Sequence, residues 1–350
     1  MDYAHRNALF QRVLLISSRP THPARATADS IRFRRFALIL SNAGYVPLHA
    51  CVDTISQLAD LVDRFSPDLV FSAPDHLENV AANPASGGEA TAIPRVNVHG
   101  WLEGQGIPYV GSPPEAIELA LSKAALKGKW IRDGILTPGF ISLDSAFDLS
   151  SIDPGLLPAF PCIVKPSDSG NSRGITKDSV AFDRQGLEAA VANLGRAFGH
   201  ILVEHYLGLY PDFREVTCAC IGNGARRILM PAELVFLDPT EIRVITTADK
   251  DNNRTEARAI SDPAFLESSR SFAAAALASA GVRDYSRCDM AFADGKFWAI
   301  EVNGQPMIPD PWFEACARGA GLVERQYILE IFDVASRRLS EVSPGAGQGG

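Results

Sequence analysis

The chain has 350 residues, 46% apolar and 21% charged, an ordinary globular composition with length for two or three domains and a cleft. Its 33 Lys and Arg against 41 Asp and Glu leave a formal charge of −8 without a basic block, so the electrostatic footprint of a nucleic-acid partner is missing. A mean hydropathy of +0.02 with only short apolar runs excludes a membrane bundle, and the opening MDYAHRNALFQRVLLISS is too weakly apolar for a signal peptide, so a cytoplasmic protein is expected.

RVLLIS at 12–17 reads as a buried strand, followed by helically spaced apolar residues in SIRFRRFALILSNAG and a stop at Gly44. YVPLHA, SQLADLVDRF, DLVFSA and IPYVG continue the beat, which predicts a parallel sheet covered by helices. Between Pro74 and Pro94 the Ala/Asn/Gly/Ser-rich run reads as a surface loop. Pro113-Pro114 marks a boundary, and EAIELALSKAALKGKWIRDG reads as one helix ending at Gly134. There follow TPGFISL, a connector to Pro158, the strand FPCIVKP, a polar loop, a helix near 185–199 and the strand HILVEHY. REVTCACIG, RRILMPAELVF and EIRVITT read as strands, DPAFLESSRSFAAAALASAG as a helix, and SRCDMAFAD with KFWAIEVN as a hairpin through Asp294-Gly295. This organisation divides the chain into 1–112, 113–203 and 204–338, with 339–350 as a disordered tail. Cys51, Cys162, Cys218, Cys220, Cys288 and Cys316 lack a paired spacing and read as reduced core thiols, without a partner pair for a zinc set.

The chemistry concentrates in the hairpin. Arg287 and Asp289 on one strand, and Glu301 and Asn303 on the other, are each two apart and so share a sheet face. Three oxygen-bearing side chains with a cation suit Mg²⁺ bridging phosphates; a surface ion-pair ladder is the plainer alternative. The loop KPSDSGNSRG (165–174) leaves a strand with Lys165 and offers small residues to an anion, as a phosphate lid does, though Gly/Ser turns of this kind are common. Glu204 closes one strand and Glu215 opens the next, while Lys123 on its own reads as an exposed helix lysine. His99, His200 and His205 lack partners at catalytic spacing and read as structural.

Taken in order, ALSKAALKGKWIRDGILTP, FPCIVKPSDSGNSRGI, ILVEHYL, RCDM and AIEVNGQP resemble the ATP-grasp superfamily and, within it, the D-alanine:D-alanine ligase-like branch. The resemblance covers nearly the whole chain. It implies an α/β ATP-grasp fold: a Rossmann-like N-terminal domain, a central lid domain and a C-terminal α+β domain. The implied activity is ADP-forming carboxylate–amine ligation through an acylphosphate, with ATP and Mg²⁺ (or Mn²⁺) as cofactors. It further implies that Lys123 and Lys165 contact phosphates, with Ser169, Gly170, Asn171, Ser172 and Gly174 in the lid. Glu204, His205 and Leu207 fall on the adenine segment, Glu215 on the ribose, and Asp289, Glu301 and Asn303 on the metal. Arg287 would steady the transferring phosphoryl group, and Lys250 would be a further phosphate lysine. The sequence departs from that branch after the first strand, where ISSRPTHPARATADS lacks the branch's acid, at Asn171 and Asp251, and in 308–321 with Trp312. An amino acid or specialised metabolite other than D-alanine is therefore expected as a substrate, with D-alanine:D-alanine ligation as the alternative and a non-catalytic nucleotide-binding protein as the second. Arg19, Arg25, Asn303 and Trp312 are expected near the substrate, and a homodimer is the arrangement common in that branch.

Overall fold

The computed structural model describes residues 10–19, 23–79, 93–144, 149, 152–170, 172–238, 242–252 and 254–342. The first unit alternates β1 (Arg12–Ser17), α1 (Pro23–Ser41), β2 (Val46–Cys51), α2 (Ile55–Phe65) and β3 (Leu69–Ser72). A small ribbon of β4 (His76–Glu78) and β5 (Arg95–Asn97) leads through α3 (Val98–Gly104) to β6 (Tyr109–Val110). The main sheet runs β2-β1-β3-β6, all parallel, as the alternation predicts. β1 is apolar from Val13 to Ile16 because both faces are covered there: Leu14 and Ile16 pack on one side, Val13 and Leu15 on the other.

The single helix expected over 115–134 is two. α4 (Pro114–Leu121) stops at Ser122, whose extended backbone (φ −102°, ψ 100°) and hydroxyl cap the start of α5 (Lys123–Arg132). β7 (Phe140–Asp144), β8 (Cys162–Pro166), β9 (Val180–Ala181), α6 (Arg184–Gly195) and β10 (His200–His205) then build an antiparallel sheet in the order β7-β10-β8-β9.

The third sheet holds β11 (Arg214–Ile221), β12 (Ile228–Phe236), β13 (Thr255–Ala259), β14 (Tyr285–Ala293) and β15 (Lys296–Asn303), in the order β13-β12-β11-β14-β15. The segment read as the strand EIRVITT is irregular over 242–246 and passes into α7 (Thr247–Asp251), because Thr246 and Asp249 form a reciprocal capping box. α8 (Pro263–Ala280) covers one face of this sheet, while α9 (Pro311–Gly319) and α10 (Glu324–Val342) pack on the other. α10 runs three residues past Leu339, into the span expected as tail, and 343–350 lie outside the described residues. Asp294 and Gly295 both have positive φ (54° and 70°), the paired left-handed turn of a tight hairpin. Five cysteines are buried and free as expected, but Cys51, at the open end of β2, is exposed. No helix among the described residues is long and apolar enough to cross a membrane.

Candidate active site

A cleft of about 920 Å³, open to solvent, lies between the second and third sheets. On its first wall, Cys162, Val164, Ile201 and Val203 pack against α6, and strand alternation turns Ile163, Lys165 and Glu204 to the cleft. Glu204 is buried between two ammoniums. Lys165 Nζ donates to Oε1 at 2.8 Å, and Lys127 Nζ of α5 lies 2.7 Å from Oε2, a charge contact rather than an aligned hydrogen bond. Burial opposes the Glu204 charge, but Lys127 and Lys165 outweigh it and hold the carboxyl below its usual range. Burial likewise lowers Lys127, to about 8, against the pull of Glu204. In the first turn of α5, Lys123 Nζ donates to the Ser169 carbonyl in the Gly/Ser loop and sits 3.5 Å from Glu301 Oε2 across the cleft. That loop is also tied to α7, since the Ser172 carbonyl accepts from Thr247 Oγ1 at 3.1 Å.

The second wall is the third sheet. Val216, Cys218, Cys288 and Met290 face α8, leaving Glu215, Thr217, Arg287 and Asp289 on the other face. Asp289 stands directly opposite Glu301, and Arg287 opposite Asn303. A register irregularity after Asp289 leaves Ile300 unpaired, so that Ile300 and Glu301 both line the cleft. The Arg287 fork grips Asp289 through two bonds of 3.0 Å, its third nitrogen lies 3.4 Å from Asp310, and Thr217 Oγ1 donates to Asp289 at 2.6 Å. Burial works against the Arg287 charge, but Asp289 and Asp310 outweigh it and raise its pKa further. For Glu301 burial is again outweighed, here by Lys123, Arg287 and Lys250, which hold it at about 2. Glu215 is the opposite case: burial, reinforced by the Asp289 charge, pushes it up to about 8. Asp310 caps α9 by accepting from the Trp312 and Phe313 amides, both at 3.0 Å, and so sets the start of the helix that carries Trp312. Lys250 Nζ and the Arg287 guanidinium lie 4.7 and 5.2 Å from that ring's centre.

The cleft thus gathers Lys123, Lys165, Ser169, Ser172, Glu204, His205, Leu207, Glu215, Lys250, Asp289, Glu301 and Trp312. Lys123 is buried, not the exposed helix lysine its spacing suggests. Arg287 stands behind Asp289, and the Asn303 amide oxygen accepts from Gln305 N at 3.3 Å. Gly170 and Gly174 do not line the cleft; Gly174 is needed for its φ of 74° and because a Cβ there would come 2.5 Å from Phe198. Arg19 is not beside the cleft: it is exposed and pairs with Asp53 at 3.2 Å, held by the loop after β1. The side chain of Arg25, and Asn171, lie outside the described residues. Sequence reasoning missed Lys127, Thr217, Arg243, Tyr206 and Asp310. The one available signal was the Asp310-Pro311 start of α9, a cap followed by a first-turn proline.

Two antiparallel sheets closing on a cleft, lysines and a Gly/Ser loop on one side and an Arg–carboxylate cluster on the other, make the ATP-grasp arrangement, and the class so defined is an ADP-forming carbon–nitrogen ligase. The family model described as "D-ala D-ala ligase C-terminus" matches residues 157–331. D-alanine–D-alanine ligase of Cupriavidus necator is 28% identical over 243 residues, 68% of this chain and 71% of that protein. The ligase of the same description from Ectopseudomonas mendocina is 31% identical over 246 residues, 67% and 72% of the two chains. Among solved structures, D-alanine–D-alanine ligase from Bacillus anthracis complexed with ATP superposes with a TM-score of 0.72 at 20% identity, covering 95% of this chain and 99% of that one. The VanG D-Ala:D-Ser ligase of Enterococcus faecalis gives 0.65 at 17% identity, covering 93% and 99%. The chain belongs to the D-alanine–D-alanine ligase family.

Proposed function

We propose that the protein joins two molecules of D-alanine, with ATP converted to ADP and phosphate. In this reading the carboxylate of the first D-alanine attacks the γ-phosphorus of ATP and ADP leaves. The amine of the second then attacks the acylphosphate carbon, phosphate leaves, and the amine gives up a proton. The observation that carries the reading is the pair of charged walls facing across one cleft: Lys123 and Lys165 against Asp289 and Glu301, with Arg287 behind Asp289. Phosphoryl transfer of this kind needs positioning and cations more than a covalent nucleophile. D-alanine is supported by relatives of several genera bearing that name, aligned over 71–72% of their length, which favours the alternative read from sequence over a specialised metabolite.

Lys123 and Lys165 would contact the β- and γ-phosphates, with Ser169, Gly170, Asn171, Ser172 and Gly174 closing above. Glu204, His205 and Leu207 would border the adenine and Glu215 the ribose; Lys250 and Arg287 would meet the transferring phosphoryl group. Residues 113–203 would carry the lid and 204–338 the catalytic sheet. The residues present fit Mg²⁺: Asp289 and Glu301 face each other across two strands as hard oxygen donors, and Glu301 stays ionised at about 2. Asp289, Glu301 and the Asn303 amide oxygen would hold the ion, which would share its remaining coordination with the nucleotide. When bound, the ion would neutralise charge on the phosphates.

The test is phosphate release from Mg-ATP with D-alanine alone and with a panel of D- and L-amino acids and small carboxylates, with products weighed by mass spectrometry. ADP and the mass of D-alanyl-D-alanine are expected. A second reading, D-alanine joined to another amine, is favoured by Trp312, whose bulky ring lines the cleft 4.7 Å from Lys250 Nζ and 5.2 Å from the Arg287 guanidinium. A heavier mixed product in place of the D-alanine dimer would establish it.

A further inference from the structure

Lys127 takes no part in the reading above, and its place is costly. Its side chain is wholly out of solvent, and an uncompensated ammonium there would cost several kcal/mol. Its ammonium donates to Thr137 Oγ1 at 2.7 Å and to the Ala299 carbonyl at 3.4 Å, and its charge lies 2.7 Å from Glu204 Oε2. Those partners come from the segment before β7, from β15 and from β10, so Lys127 is pinned where the two walls of the cleft meet. Lys165 is held differently. It lines the cleft, and among the described residues its one ion-pair and hydrogen-bond partner is the other oxygen of the same carboxylate, at 2.8 Å.

One negative charge is therefore shared by two positive ones, and only one of the two faces the cleft. We propose that Lys127 is a positioning residue: by standing as the permanent counter-ion of Glu204, it leaves the Lys165 ammonium free to engage nucleotide phosphate. Without Lys127, Glu204 and Lys165 would close into a one-to-one pair in a low-dielectric wall, and a phosphate would have to break that pair to bind. With Lys127, the group carries a net positive charge before the nucleotide arrives, and Glu204 keeps a partner after Lys165 turns to the phosphate. The inference rests on the reading of Lys165 as a phosphate contact.

The experiment measures the Mg-ATP dissociation constant by calorimetry for the full chain and four variants, with the melting temperature of each. Lys165→Met tests the underlying reading and is expected to bind at least about tenfold more weakly, a loss of about 1.4 kcal/mol. Lys127→Met is expected to weaken binding by at least about tenfold as well, although the residue lies behind the cleft wall. The double variant Lys127→Met/Glu204→Gln, which removes the charge that would capture Lys165, is expected to bind at least about threefold more tightly than Lys127→Met, whatever Glu204 itself contributes beside the adenine. Lys127→Arg, which keeps the charge, is expected to bind more tightly than Lys127→Met. A purely structural tie predicts the reverse for the double variant, which loses both partners. If Lys127→Met does not fold, Lys127→Gln alone and with Glu204→Gln gives the same comparison. Undiminished binding by Lys165→Met would overturn the phosphate reading and the inference with it. Weak binding by Lys165→Met with no loss in Lys127→Met, or a loss the double variant does not recover, would overturn the inference alone.

Discussion

At the scale of single residues, the site is a set of charges whose neighbours decide their ionisation. Glu215 and Glu301 face the same cleft, yet burial pushes the first up to about 8 while surrounding cations hold the second at about 2. Glu301 is thus the carboxylate poised to act as a permanent anion. Glu301→Gln is expected to lower kcat/KM by about a hundredfold and to raise the Mg²⁺ concentration giving half-maximal rate. A magnesium titration at fixed ATP checks this, and an unchanged half-saturation point would remove Glu301 from the metal set. Much of this was legible beforehand. Strand alternation placed Arg287, Asp289, Glu301 and Asn303 on one face, and the hairpin register pairs them as expected. Lys127 was not legible: four residues from Lys123 on a helix, it carries no mark of burial, which depends on Glu204 some eighty residues later.

At the scale of elements, the turn chemistry and the caps decide where these residues fall. Ser122 breaks one apparent helix into two and so places Lys123 at a helix start, against the Gly/Ser loop. The sequence held that signal, as it held the Thr246–Asp249 box hidden inside a run that alternates like a strand. A local cap won over periodicity in both cases, and β13 was missed because its outward Glu256 and Arg258 dilute its short apolar pattern. The β14–β15 turn was read correctly because Asp-Gly tolerates two left-handed residues in succession. Gly295→Ala meets no atom within 4 Å, so its effect is backbone strain alone. A loss of about 1 kcal/mol is expected from the denaturation midpoint, with the magnesium requirement unchanged, since the turn lies beyond the end of β14 while Asp289 is at that strand's centre.

At the scale of the whole molecule, the first and third sheets are locked by one polar joint beside Pro113-Pro114. Asp284, fully buried, accepts from Gly111 N, from Asn223 Nδ2 and from Nε and Nη2 of Arg338 on α10, and Arg283 reaches the Tyr109 hydroxyl at 2.6 Å. His99 sits inside this joint. Its Nδ1 donates to the Ser112 carbonyl at 2.7 Å, its ring stacks on Tyr109 at 4.2 Å, and Arg283 and Arg338 are the nearby cations. Burial, helped by those two guanidiniums and opposed by the Ser112 bond and Asp284, lowers its pKa from 6.5 to about 4. The unfolded chain therefore takes up a proton near pH 6.5 that the folded chain refuses until about pH 4. Stability from this group is complete above pH 6.5 and drains away as the pH falls through that window, at up to about 1.4 kcal/mol per unit. Between pH 7 and 4, urea midpoints of wild type should fall more steeply than those of His99→Gln, whose neutral side chain has no proton to refuse. Parallel slopes would mean that the joint accepts the imidazolium, with the bonds of Asp284 and its arginines rearranged around it.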